Sequence, residues 1–119
     1  MQRVILEMGQ GVDLHGGDAT KAAIRAVRDA LGGSSLPLFA GLGLDPDVME
    51  VIVSVAVPDP DAVDVDAVAQ ALPYGQVQVR AVPGGLRAPV GGDHALLAAA
   101  SVEVFLPEQQ GWRLSATTG

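Results

Sequence analysis

Residues 9–17 set one carboxylate, Asp13, and one imidazole, His15, among four glycines, Gly9, Gly11, Gly16 and Gly17. An acid beside an imidazole is the smallest pair that moves a proton near neutral pH, because the carboxylate orients the ring and favours its charged form. Two residues apart, the pair points to one side of an extended segment and still converges in a turn. Glycine lets a ligand approach the backbone and meet its N–H groups. The same glycines also suit a plain tight turn in which Asp13 caps and His15 is solvated. Lys21 and Arg25 follow four residues apart, with Arg28 three further on, and these gather three of the seven basic residues, including the only lysine. A cation in a helix's first turn is unfavourable unless something anionic is near, although a solvated face beside Asp29 is the plainer reading. The candidate set is therefore Asp13 and His15 as catalytic groups, with Gly9, Gly11, Gly16, Lys21, Arg25 and Arg80 as ligand-binding ones.

These groups need a strand before them and a helix after. Residues 2–8 alternate as a first strand, with Val4, Leu6 and Met8 on the core-facing side and Arg3, Ile5 and Glu7 opposite. The glycines then form a strand-to-helix turn. Asp18 is a good N-cap for a helix running to Leu31, where Gly32 and Gly33 end it. Ala23, Ile24, Val27, Ala30 and Leu31 form its apolar stripe.

The motif Gly9-x-Gly11-x-Asp13-x-His15-Gly16, followed by Asp18, Thr20, Lys21, Ala22, Ala23, Arg25, Ala26 and Val27, resembles a small conserved hypothetical family of bacteria and, with an N-terminal extension, of plants. The likeness continues through Val57 and Pro58, Val63 and Asp64, Pro73 to Gly75, and Gly84 to Leu86, and so covers most of residues 1–106. The family's function is uncharacterised, so the resemblance assigns no reaction. The alanine-rich segment 91–100 departs from its pattern.

Beyond the first helix, residues 34–48 read as an ordered connection rich in glycine, proline and leucine. Residues 50–57 are the strongest strand, apolar on both faces, and belong in the middle of a sheet. Asp64 caps a second helix whose Val65, Val68, Ala69 and Leu72 form a stripe before Pro73 stops it. A third strand over 76–82 sets Val77, Val79 and Ala81 against Gln78 and Arg80, so that second face is polar or binds something. Residues 83–92 read as a glycine and proline loop carrying Arg87. Val102, Val104 and Leu106 against Ser101, Glu103 and Phe105 make a last strand. A single domain over 1–106 and a loosely held tail over 107–119 follow.

At 119 residues, with 49% apolar and 18% charged residues, the chain has more apolar surface than one small globule hides easily. A net charge of −7 opposes nucleic acid or anionic membranes as partners. The absence of cysteine rules out disulfides, thiolate catalysis and cysteine-bound metal. Neither a signal peptide nor an apolar run of the ~18 residues that span a bilayer is visible, so a cytoplasmic location is expected.

The expected fold is α+β: two β-α-β units give a small mixed four-stranded sheet with two helices on one face. The bare face then needs a second subunit, as in trimers of the chorismate mutase type, giving a trimer or other small ring with sites at its boundaries. Four functions compete. The first is an enzyme acting on a small anionic or cyclic-amide-like metabolite, with His15 as acid or base. The others are a non-catalytic binding or regulatory oligomer, a metal site built from His15, His94 and Asp13 or Asp93, and a structural oligomer. The sequence leaves the cofactor unknown, and His94, in a loop, is expected to be dispensable for whatever His15 does.

Overall fold

The computed structural model describes residues 1–32, 46–72 and 75–107. Most of the expected connection over 34–48, the stop at Pro73 and the tail beyond Pro107 lie outside these residues. The described chain is one α+β unit: five strands in one mixed sheet, with two α-helices on one face.

β1 runs Gln2–Asp13, so the first half of the glycine motif is strand and not turn. α1 follows as Ala19–Gly32, and the Asp18 carboxylate caps it by accepting from the Lys21 N–H at 3.1 Å, as its residue type predicts. Its buried face is Ala19, Ala22, Ala23, Ala26, Val27 and Ala30, rotated toward the smallest residues, while Ile24 and Leu31 are only partly covered. The cause lies beneath it. A methyl built on Gly9 would sit 2.5 Å from the Ala26 carbonyl oxygen and overlap Ala30 N; one on Gly11 would sit 2.5 Å from the Ala22 oxygen and overlap Ala26 N. Two glycines on the strand and an alanine at every fourth helical position let the two backbones meet directly.

That contact also decides which face of β1 is inside. A bulge between Arg3 and Ile5 changes the register, after which Ile5, Glu7, Gly9, Gly11 and Asp13 pair with β5 residues that face the helices. The expected core-facing pair Leu6 and Met8 is instead exposed on the bare face, at 47% and 74%. Apolar alternation misled here because the glycines, which carry no hydrophobic signal, mark the packed side.

β2 (Glu50–Val57) is central, as expected, and Val51, Val53, Val55 and Val57 are fully buried under the helices. α2 (Val65–Ala69) is capped by the Asp64 carboxylate, which accepts from Asp66 and Ala67 N–H groups, and it leads to β3 (Gln76–Pro83), parallel to β2. The expected loop over 83–92 contains a further strand, β4 (Leu86–Val90), so the sheet has five strands rather than four. Gly91 at φ +60 closes a two-residue hairpin, with Val90 opposite Asp93, into the 14-residue β5 (Asp93–Leu106). β5 lies between β1 and β2, antiparallel to both, and pairs β4 along its first residues. Its buried positions, Leu96, Ala98, Ala100, Val102, Val104 and Leu106, alternate along its length and complete the core.

Gly11→Ala should lower stability by about 3 kcal/mol or more, since the methyl meets helix backbone that has no rotamer to change. Gly32→Ala, with open space around it, should be neutral or stabilising by about 0.5 kcal/mol. Urea unfolding of the two variants checks this, and equal effects would contradict the close contact.

Candidate functional site

The end of β1 places Asp13 at the edge of the core, 5% exposed. Its Oδ2 accepts from Asp18 N–H at 2.8 Å, closing the base of the 14–17 turn, and its Oδ1 lies 3.5 Å from the Arg25 guanidinium. Arg25 also donates to the Val12 carbonyl at 2.7 Å. One turn further along α1, the Asp29 carboxylate accepts from Gln10 N–H at 2.9 Å. Two helix side chains thus satisfy groups on the outer edge of β1, where strand backbone otherwise lacks a partner. Asp13 and Arg25 act together in the way the helix–strand junction requires.

The turn itself carries His15, exposed, with Gly16 and Gly17 at φ +89 and +57, conformations that favour glycine. Its tip is held from the other side of the sheet end: Gly16 N–H donates to Asp93 Oδ2 at 2.9 Å. Asp93 Oδ1 accepts from His94 N–H at 2.8 Å. Hydrogen bonds from the His94 and Gly16 backbones hold the Asp93 carboxyl below the usual carboxylate range, and the nearby charges of His15 and His94 act in the same direction. The carboxylate that reaches the His15 turn from outside the motif is Asp93, 77 residues after Gly16 in sequence, while Asp13 is spent on the turn base and on Arg25.

His94 was expected in a loop and dispensable for whatever His15 does. It begins β5, and its Cβ and carbonyl oxygen lie 3.6 Å from where a Gly17 side chain would start. The Gly91-Gly92 pair between Val90 and Asp93 was the signal in the sequence that this segment is a hairpin.

The other expected residues divide. Gly16 belongs to the turn. Gly9 and Gly11 lie under α1, where helix backbone fills the space expected for a ligand. Lys21 is exposed in the first turn of α1, and its unusual place is explained by Asp18 and Asp13 at the helix start. Those carboxylates also take the Asp18 and Lys21 N–H groups, so the helix terminus is not the open anion cradle expected. Arg80 is elsewhere altogether: it sits on β3, the opposite edge of the sheet, on the bare face, and donates to Ser54 Oγ at 2.7 Å. Among the described residues no group of three His, Asp or Glu side chains is placed to hold a metal ion.

The model of the family described as conserved hypothetical protein (Lin0512_fam) matches residues 3–104. The chain belongs to this family. A crystal structure of an FtsZ-like protein of unknown function from Nostoc punctiforme is similar, at 34% identity and a TM-score of 0.78, over 90% of this chain and 97% of that one. Among functionally curated proteins no match was found. For the Lin0512 family member described here, no helix among the described residues is long and apolar enough to cross a membrane.

Because the Asp93 carboxyl is held low in the folded chain, its contribution to stability is complete above the ordinary aspartate value, about 3.9, and is lost as pH falls through the lower folded value. The melting-temperature gap between wild type and Asp93→Asn should be present at about pH 5 and shrink below about pH 4. A gap unchanged at acid pH would mean that Asp93 does not hold the turn.

Proposed function

We propose that this protein is an enzyme acting on a small anionic or cyclic-amide-like metabolite at the sheet end formed by residues 14–18 and 93–94. His15 serves as the acid or base, and Asp93 orients it, taking the role first assigned to Asp13. The observation that carries this reading is one carboxylate, Asp93, that holds both the turn carrying His15, through the Gly16 N–H, and the backbone of His94. An imidazole near a fixed carboxylate is suited to proton transfer. A non-catalytic binding role is the second reading, favoured by the exposure of His15, Asp18, Lys21 and His94, which leaves this end open in a single chain.

The same openness supports self-association. Both helices pack on one face of the sheet, and the other carries exposed Leu6, Met8 and Leu86, the last 61% exposed. A second copy seated on that apolar face, in a trimer or other small ring, would bury it and bring neighbouring surfaces toward the site.

Turnover tests the reading. Incubated with a pool of small carboxylates, phosphates and cyclic amides and followed by mass spectrometry, wild type should consume one component. His15→Ala should slow that consumption about 100-fold or more with its melting temperature unchanged, the range general acid–base catalysis supplies. Equal turnover in His15→Ala would remove the acid–base role, and binding without consumption would leave the binding reading. Light scattering on the same sample should give a multiple of the 12.1 kDa chain mass; a single-chain mass would end the proposal of self-association.

A further inference from the structure

We infer that Arg87, with His94 beside it, forms an oxyanion-binding edge on the helix-covered face of this sheet end and takes the phosphate or carboxylate group of the ligand. This rests on the small-molecule reading above and adds a residue to it. Sheet register brings the two residues together. Arg87 pairs with Leu96 of β5, and Leu96 pairs with Asp13 of β1, so the three form one row across the sheet. Leu96 and Asp13 are buried on the helix side, which places Arg87 on that side as well. His94 pairs with Pro89 and is thus the diagonal neighbour of Arg87, about 7–8 Å away between α carbons and within reach of a long side chain. The same His94 abuts Gly17 of the turn.

Charge accounting singles out Arg87. Arg3 is paired with Glu103, Arg25 with Asp13 and the Val12 carbonyl, and Arg80 with Ser54. Among the described residues, the side chains of Lys21, Arg28 and Arg87 have no ion pair or hydrogen bond, and Arg28 lies two turns down α1 from the helix start. In a chain with 14 carboxylates and seven cations, Arg87 is the arginine at this sheet end that folding leaves without a partner. Two carboxylates of its own sheet end are committed elsewhere: Asp13 to Asp18 N–H and Arg25, Asp93 to Gly16 and His94 N–H groups. A guanidinium presents a planar fork of donors that matches two oxygens of a carboxylate or phosphate, and a charged imidazole adds one more donor. Lys21, at the start of the helix above this row, adds positive charge without a fixed geometry.

The test is calorimetric titration of the full chain at low ionic strength with inorganic phosphate and, separately, with succinate, using wild type, Arg87→Ala, Arg87→Lys and Arg80→Ala. Wild type should bind at least one of the two, and which one identifies the oxyanion. Arg87→Ala should weaken that binding tenfold or more with an unchanged melting temperature. Arg87→Lys should restore it only in part, and Arg80→Ala should match wild type. Wild-type affinity in Arg87→Ala, or no binding of either anion by wild type, overturns the inference. Turnover that needs His15 together with anion binding that ignores Arg87 would sink the oxyanion edge alone. Anion binding that needs Arg87 in a protein without turnover would support the edge while the enzymatic reading fails.

Discussion

The contact of α1 with the backbone of β1 at Gly9 and Gly11 is the constraint on which the rest depends. Side chains normally hold a helix and a sheet apart; here the absence of two side chains on the strand, matched by alanines at positions 22, 26 and 30, lets the helix descend onto it. Once the helix lies that low, Arg25 and Asp29 reach the edge groups of β1, and the chain between Asp13 and Asp18 must reverse in four residues. The turn that carries His15 is a product of that packing. Its two fixed ends, at Asp13 and at Asp93, come from opposite ends of the chain and turn a short glycine segment into a placed one.

β5 supplies the second half of the arrangement. Lying between β1 and β2 and antiparallel to both, it carries its first residues past the end of β2 to pair with β4, so that Asp93 and His94 arrive beside the turn. A sequential strand order would leave them at a sheet edge far from the motif. The insertion is favoured by the pattern of β5 itself: every second residue from Leu96 to Leu106 is buried, and a strand so deeply packed is poorly suited to an edge.

Much of the architecture was legible in the residues. The valine run of β2, the Asp18 and Asp64 caps and the polar alternation of β3 each state their structure locally, because burial period and capping chemistry act over a few residues. The motif residues were legible as a cluster but not in their roles. Glycine in a sequence signals either a turn or a close approach, and only the partner backbone shows which; Gly16 does the first and Gly11 the second. The carboxylate that holds the turn tip was not legible for a similar reason. Proximity along the chain favoured Asp13 as the partner of His15, whereas the carboxylate at the turn tip comes from a strand 77 residues later, through a pairing that nearby sequence does not specify. Arg80 was drawn to the site by charge alone, and strand order sends it to the far edge.

The account stands or falls on which surface meets the ligand. Backbone amide NMR of the full chain during titration with inorganic phosphate addresses this directly. The resonances of Gly16, Gly17, Arg87 and His94 should shift together along one saturating curve, with Gln76 to Arg80 unmoved. Shifts confined to the β3 edge around Arg80, or spread evenly over the exposed cations, would contradict it.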